Sequence, residues 1–179
     1  AMAEKMAPCV LWMDEIEKGL STDNSDSGTS QRVLGTLLTW LAEKQAPVFV
    51  VATSNDISKL PPELIRKGRL DELFFVDLPD EKTREIIFKI HLEKRELDTT
   101  SFNLSELAIA TEGFTGAEIE QAIVAAVYSG LSMSDTSGVS VTQELLVHEL
   151  RSTAPLSVVM AERLAGLRQW ADERNMVRV

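Results

Sequence analysis

The chain has little cysteine, no long apolar run and no excess of basic residues, and each absence excludes a class of protein. Its 179 residues include a single cysteine, Cys9, so no internal disulfide can form and a cytoplasmic setting is expected. No apolar run approaches the roughly 18–20 residues that a membrane-spanning helix needs, and the opening AMAEKM lacks the apolar segment of a signal peptide. The net charge of −10 argues against general nucleic-acid binding.

Three short apolar segments in the first part of the chain predict buried strands of a parallel sheet. They are CVLWM (9–13), VFVVAT (48–53) and LFFVDLP (73–79). The polar residues 20–30 predict a loop, after which Ser30 caps a helix that Pro47 ends. LPPELIRKGRL predicts a further helix of one or two turns.

From Asp80 onward the apolar residues recur with helical spacing, and no convincing strand remains. The predicted helices span about 80–95, 104–111, 116–131, 141–152 and 157–173. Asp80 and Ser157 are expected to cap the first and last of these, and Asn103–Glu106 and Thr115–Glu118 to form capping boxes. The pattern therefore predicts an α/β part over residues 1–79 and an all-helical part over residues 80–179.

Two carboxylates, Asp14 and Glu15, directly follow the first predicted strand. That position is the carboxyl edge of a parallel sheet, where ligands bind in open α/β folds. Neighbouring carboxylates are costly to keep ionised unless a cation is near, so a metal ion would resolve their pairing. An ordinary helix start also favours acidic residues, because of the helix dipole. From these two residues alone, both interpretations stay open.

A second group of polar residues follows the second predicted strand. Asn55 ends VFVVATSN, and Arg66 and Arg69 lie in the segment that comes next. Guanidinium groups bind phosphate oxygens through a rigid fork of donors, which suits them to stabilise charge on a phosphoryl group. Taken singly, Asn55 could simply turn the chain, and the arginines could be solvated surface charges.

Together these segments resemble a known family. VLWMDE resembles the Walker B motif of AAA ATPases, and ATSNDISKLPPELIRKGRLDELFFVDLPD resembles their second region of homology. The likeness runs from about residue 8 to 131, and residues 141–174 resemble the carboxyl-terminal helices of the AAA group proper; an uncharacterised AAA family of cyanobacteria and plastids is the nearest likeness. The resemblance implies an incomplete P-loop AAA sheet of about three parallel strands with helices, followed by a helical lid subdomain.

The resemblance also implies a role for each matching side chain. Asp14 would hold Mg²⁺, Glu15 would activate the attacking water, and Asn55 would be the sensor 1 residue at the γ-phosphate of ATP. Arg66 and Arg69 would be arginine fingers that act on nucleotide bound by a neighbouring subunit. The parent protein would then hydrolyse ATP in a ring, expected to be a hexamer, to remodel or thread a protein substrate that the sequence does not identify.

Three residues of the helical part also match positions near the nucleotide. His91 matches a histidine beside the base and ribose, and Gly116 and Ala117 match a turn where the backbone approaches the nucleotide. A lone histidine on a helix is more often a packing or surface residue. GFTGAEI is also an ordinary capped helix start, and both interpretations can hold together.

One motif of the family is missing: no GxxxxGK[ST], the Walker A loop, occurs in the sequence. The chain is therefore expected to be the carboxyl-terminal part of a longer ATPase, and by itself neither to bind ATP tightly nor to hydrolyse it. Without the Walker A strand, 48–53 and 73–79 lose the neighbour they share in the family, so the sheet is expected to rearrange, pair across chains or be partly disordered. The alternative is a non-catalytic module in which the AAA architecture serves assembly.

Overall fold

The computed structural model describes residues 2–20, 27–66, 68–133 and 141–179. The chain divides into two compact units, Ala1–Leu73 and Phe74–Val179. Most of the predicted loops at 20–30 and 132–140 lies outside the described residues.

The first unit holds a small parallel sheet flanked by helices. Its elements are α1 (Met2–Lys5), β1 (Cys9–Met13), α2 (Ile16–Leu20), α3 (Ser27–Glu43), β2 (Val48–Ala52) and a 3-10 turn (Ile57–Lys59). β1 and β2 pair in parallel with a continuous register, from Cys9 opposite Val48 to Met13 opposite Ala52. The carboxyl ends of the two strands therefore lie at the same edge of the sheet.

The apolar core of this unit lies between α2, α3 and the segment after β2. Its buried residues are Ile16, Leu20, Leu41, Leu60 and Leu64. Leu64 is almost fully enclosed, at 1% exposure, which anchors the stretch that carries the two candidate arginines.

Two local predictions for the first unit are wrong. Helix α3 begins at Ser27, so Ser30 lies inside the helix rather than capping it. The described residues of LPPELIRKGRL form turns instead of a helix, with Leu64 N–H bonded to Pro61 C=O at 2.9 Å.

The second unit contains helices packed around one core. Its elements are β3 (Phe74–Phe75), α4 (Glu81–Glu93), a 3-10 turn (Thr99–Ser101), α5 (Leu104–Ala110), α6 (Gly116–Met133), α7 (Gln143–Ser152), α8 (Leu156–Val159), α9 (Ala161–Glu173) and β4 (Val177–Arg178). Side chains from α4 to α7 form the core, including Phe88, Leu107, Ile123 and Leu146 at 0% exposure.

Two of the predicted helix caps in the second unit are confirmed. The Asp80 carboxylate accepts Thr83 N–H at 2.8 Å, and Thr115 and Glu118 accept each other's backbone N–H groups in a reciprocal capping box. At α5 only half of the expected box forms. Asn103 caps the helix, but its own N–H is taken by the Gln143 side chain.

The last predicted helix is divided in two, and its predicted cap is wrong. α8 starts after Pro155 with no side-chain cap, and the chain leaves helical geometry at Met160 before α9 begins. Ser157 therefore lies inside α8.

The third predicted strand does not join the sheet of the first unit. Of LFFVDLP only Phe74–Phe75 is a strand, and it pairs in parallel with Val177–Arg178 in the second unit. The predicted sheet of about three strands is therefore wrong for the described residues, which form two separate two-stranded sheets. The expectation of no strand after Asp80 is wrong as well.

Ion pairs accompany the pairing of β3 with β4. Arg168 donates to both carboxylate oxygens of Asp77 at 2.8–3.0 Å, and Arg178 lies 3.5 Å from the same carboxylate. Arg178 also pairs with Asp172 at the end of α9. These contacts between residues far apart in sequence hold a pairing that local periodicity could not reveal.

Candidate functional site

The candidate site lies where β1 and β2 end together. Thr53 continues the pairing beyond the strands, because its N–H bonds to Met13 C=O at 2.9 Å and its C=O accepts Ile16 N–H at 3.0 Å. Backbone hydrogen bonds therefore join Thr53 to the residues on both sides of the Asp14–Glu15 pair. Asp14 and Glu15 lie between these two bonds, on the loop that links β1 to α2.

Thr53 also fixes the first carboxylate. Its hydroxyl donates to Asp14 Oδ1 and accepts the backbone N–H of Glu15 at 3.1 Å. One threonine side chain therefore orients both acidic residues.

Asn55 and Glu15 form the central contact of the site. The Asn55 amide Nδ2 donates to Glu15 Oε1 at 2.8 Å, while Lys18 pairs with Glu15 Oε2. The Glu15 hydrogen bond raises the pKa of the Lys18 ammonium. Asp14, Glu15 and Asn55, predicted from separate motifs, thus meet at one edge of the sheet.

Glu15 also adopts an unusual backbone conformation. Its φ is +47°, in the left-handed region that residues other than glycine occupy rarely and at a cost in energy. Such conformations persist where the surroundings over-determine them, and they cluster at functional sites. The hydrogen bonds of Thr53 and Asn55 supply that restraint here.

Glu17 is a buried carboxylate next to this site. It is 5% exposed, and its Oε1 accepts the backbone N–H of Asn55 at 3.1 Å. Burial opposes its ionisation, but hydrogen bonds from the Ser54 side chain and the Asn55 N–H outweigh burial and hold the pKa of Glu17 below its ordinary value. Glu17 therefore stays anionic beneath the loop that carries Asn55.

The oxygens at this edge fit a magnesium ion. Mg²⁺ prefers hard oxygen ligands and is commonly held by one or two carboxylates, with water and substrate phosphates completing its shell. The Asp14 carboxylate, oriented by Thr53, supplies such a ligand. Among the described residues no group of three or more potential ligand side chains could hold a metal ion alone. An ion at Asp14 would thus depend on phosphate and water oxygens.

The two candidate arginines lie on the turns after β2, anchored by Leu64. Arg69 donates to the backbone C=O of Glu63, within its own turn. Arg66 is exposed and forms no hydrogen bond or ion pair within the described ranges. The structure therefore leaves Arg66 available to solvent and does not bring either arginine to the Asp14–Glu15 carboxylates.

The remaining predicted site residues belong to the second unit. His91 Nδ1 lies 3.2 Å from Glu120 Oε1, and Arg95 donates to the same oxygen at 3.1 Å. The Arg95 hydrogen bond, with the charges of His91 and Lys94, lowers the pKa of Glu120. His91 Nδ1 thus lies close to a carboxylate on α6 but is buried without a hydrogen-bond partner among the described residues.

Gly116 and Ala117 form the first turn of α6, behind the Thr115–Glu118 capping box. A Cβ on Gly116 would lie 3.5 Å from Ile87 Cδ1, which is an ordinary contact. Close approach is instead required at Gly113, where φ is +81° and a Cβ would come within 2.4 Å of Ser157 Oγ.

Sequence reasoning missed three residues of the site: Thr53, Glu17 and Lys18. Thr53 was assigned only to the end of a strand, although a hydroxyl at the carboxyl end of a strand is a signal for such a role. Glu17 and Lys18 follow the paired carboxylates at helical spacing, but burial of Glu17 depends on tertiary packing.

Comparison with known proteins identifies a family. Residues 1–78 match the profile described as "ATPase family associated with various cellular activities (AAA)". The chain carries part of an AAA domain.

Three relatives show what the chain is similar to. The chain is 44% identical over 172 residues to the "Uncharacterized AAA domain-containing protein ycf46" of Guillardia theta, covering 94% of this chain and 33% of the relative. It is 40% identical over 122 residues to the "Cell division cycle protein 48 homolog" of Archaeoglobus fulgidus, covering 66% and 16% of the two chains. It is 37% identical over 137 residues to the "Proteasome-activating nucleotidase" of Saccharolobus solfataricus, covering 73% and 34%.

The predicted resemblance to the plastid-type AAA family is confirmed by these relatives. The chain spans about a third of the length of the ycf46 protein it matches. Within the described ranges, no helix combines the length and apolar character needed to cross a bilayer.

Proposed function

We propose that this chain is part of an ATPase that hydrolyses ATP as a ring of subunits. The observation that carries the proposal is the 2.8 Å contact between Asn55 Nδ2 and Glu15 Oε1, beside the Asp14 carboxylate that Thr53 orients. This grouping of two acids and an amide at the carboxyl edge of a parallel sheet suits nucleotide hydrolysis. Membership in an ATPase family supports the same chemistry.

In this proposal Asp14 holds the Mg²⁺ ion that accompanies ATP, through water. When bound, the ion neutralises charge on the phosphate oxygens. The Thr53 hydroxyl keeps the Asp14 carboxylate turned toward the edge where the nucleotide would lie.

Glu15 accepts a proton from the water that attacks the γ-phosphate, and Asn55 orients that water. A general base must lie within hydrogen-bonding reach of the proton it takes, and its orientation must be fixed. The Asn55 amide fixes one carboxylate oxygen of Glu15. Lys18 pairs with the other oxygen, Oε2. Because this exposed ion pair is weak, a water molecule can replace the Lys18 ammonium at that oxygen.

Arg66 and Arg69 act as arginine fingers on the nucleotide of an adjacent subunit. A guanidinium that reaches the transferring phosphoryl group stabilises the charge that develops on it. The exposure of Arg66 supports a role across a subunit boundary. The proposal therefore requires self-association, with a hexamer as the expected ring.

His91, Gly116 and Ala117 contact the nucleotide base and ribose. The small residues in the first turn of α6 leave its backbone open to approach, and a helix amino end favours negative charge. In this proposal the second unit is a helical lid.

The substrate of the ring is a protein that it remodels or threads. The name of the Proteasome-activating nucleotidase ties one relative to proteasome activation, which supports this substrate class. We place the protein in the cytoplasm, and we expect the 179-residue chain alone to be inactive because it contains no GxxxxGK[ST] loop.

The proposal is tested by phosphate release from MgATP by the complete protein that carries this chain. Hydrolysis that depends on Glu15 supports the proposal. A complete protein that assembles but releases no phosphate would establish the alternative, a non-catalytic assembly module.

A further inference from the structure

The buried carboxylate of Glu17 is not used by the proposed chemistry. It lies in the first turn of α2, between Ile16, which contributes to the core, and the exposed Lys18. Burying a charged group is costly unless hydrogen bonds compensate. Glu17 is 5% exposed, and a hydrogen bond reaches its Oε1, whereas its Oε2 is buried without a hydrogen-bond partner among the described residues.

The partner of Glu17 is the candidate sensor residue itself. Glu17 Oε1 accepts Asn55 N–H at 3.1 Å, and the Asn55 side chain donates to Glu15 at 2.8 Å. Two glutamates of one acidic segment thus hold the same asparagine, one through its backbone and the other through its amide.

This second contact matters because Asn55 lies beyond the sheet. β2 ends at Ala52, and Thr53 makes the backbone bonds that follow the strand pairing. At Asn55, two residues after Thr53, the direction of the chain depends on the hydrogen bonds of its backbone. The N–H of Asn55 donates to Glu17.

We propose that Glu17 is a positioning residue that sets the backbone of Asn55 so that its amide meets the Glu15 carboxylate. The inference deepens the proposed function and rests on it for its catalytic consequence. Its structural basis is the pair of hydrogen bonds that converge on Asn55 from Glu15 and Glu17.

Three substitutions separate the acceptor from the charge. Glu17→Gln keeps a carbonyl oxygen at the same reach and removes the charge. Glu17→Asp keeps the charge but withdraws the acceptor by one methylene, and Glu17→Ala removes both. Glu43→Gln, at an exposed position at the end of α3, is the matched control.

The first measurement is hydrogen exchange of the Asn55 amide in the complete protein. Loss of the acceptor in Glu17→Asp and Glu17→Ala should speed exchange about 10-fold or more, since that N–H loses its bond. Glu17→Gln and Glu43→Gln should exchange like the wild type. Thermal unfolding of each variant shows whether the change is local or global.

The second measurement is the steady-state kinetics of ATP hydrolysis. A misplaced Asn55 should lower kcat about 10- to 100-fold in Glu17→Asp with KM little changed, because small displacements at a reacting centre are expensive. Glu17→Gln should retain most of kcat. A merely structural role would instead follow the loss of stability and would not single out kcat.

The outcomes separate the two hypotheses. Wild-type Asn55 exchange in Glu17→Asp and Glu17→Ala overturns the inference, as do equal losses of kcat in Glu17→Gln and Glu17→Asp. If the wild-type protein hydrolyses no ATP, the proposed function is wrong, and Asn55 exchange alone decides whether Glu17 holds that backbone. Should Glu17→Ala fail to fold, the Gln and Asp variants carry the test.

Discussion

Asn55 donates its side-chain amide to the Glu15 carboxylate at 2.8 Å, although 40 positions separate the two residues in sequence. The contact exists because β1 and β2 pair in parallel and in step, which brings the residues after both strands to one edge. Thr53 then orients the acidic pair, and Glu17 holds the backbone of Asn55. The candidate chemistry depends on this short piece of sheet.

Replacing Glu15 should separate ATP binding from hydrolysis. In the complete protein, Glu15→Gln should reduce kcat about 100-fold or more, because it removes the proposed general base. ATP affinity, measured by equilibrium binding, should change little. Glu43→Gln serves as the matched control. Unchanged turnover in Glu15→Gln would rule out Glu15 as the base.

The two arginines should act across a subunit boundary. Arg66→Ala combined with Arg69→Ala should reduce kcat by about 10³-fold, the scale on which arginine fingers act. Arg151→Ala, exposed in the last turn of α7, is the control.

Mixed rings test the direction of that action. Subunits carrying Glu15→Gln keep both arginines, and the double-arginine variant keeps Glu15. Mixing the two inactive proteins should restore part of the phosphate release, since some sites then combine an intact Glu15 with a neighbour's arginines. Absence of recovery in rings shown to be mixed would indicate that the arginines act within their own subunit.

The Asp77–Arg168 ion pair should make the stability of the second unit depend on pH. Burial opposes ionisation of Asp77, whose carboxylate is 20% exposed, but the Arg168 hydrogen bond, the Leu78 N–H and the Arg178 charge lower its pKa below the ordinary 3.8. A depressed pKa stabilises the fold above the unfolded-state pKa, and that contribution is lost as the pH falls through the folded-state pKa.

Asp77→Asn should therefore lower the free energy of unfolding by about 1–2 kcal/mol at pH 7. In urea titrations the difference from the wild type should shrink below about pH 4, where the unfolded-state carboxyl protonates. Glu112→Gln, at an exposed position of the same unit, should show no such difference. A deficit that is equal at pH 7 and pH 3 would contradict the ion-pair explanation.

Gly113 should tolerate no side chain, whereas Gly166 should. Gly113→Ala places a Cβ at a φ of +81° and within 2.4 Å of Ser157 Oγ, so it should destabilise the chain by more than the roughly 1–2 kcal/mol of backbone strain. Gly166 lies within α9 with open space around it, and Gly166→Ala should stabilise by up to about 1 kcal/mol.

Denaturant unfolding of both variants checks this contrast. Adding Ser157→Gly to Gly113→Ala should recover the part of the loss that comes from the close contact and leave the strain. Full recovery of stability would show that the positive φ costs little at this position. No recovery would show that the close contact with Ser157 costs little.

The sequence alone determined the elements whose signals are local. Unbroken apolar runs predicted β1 and β2, helical spacing predicted α4 to α7, and the caps at Asp80 and Thr115 followed from side chains that bond to N–H groups three residues away. Asp14, Glu15 and Asn55 could be predicted to meet because parallel strands bring their carboxyl ends to one edge.

Only the tertiary structure decided what those elements do at longer range. Phe74–Phe75 pairs with Val177–Arg178, and beside this pairing Asp77 is held by Arg168 and Arg178, residues about 90 and 100 positions later whose charges carry no local signal. Glu17 is a structural partner of Asn55 because packing of α2 buries it, and no periodicity in the sequence distinguishes it from a solvated acid. Local patterns set the secondary structure. Which residues contact each other over long distances in sequence depends on burial and on paired charges, and both depend on the whole fold.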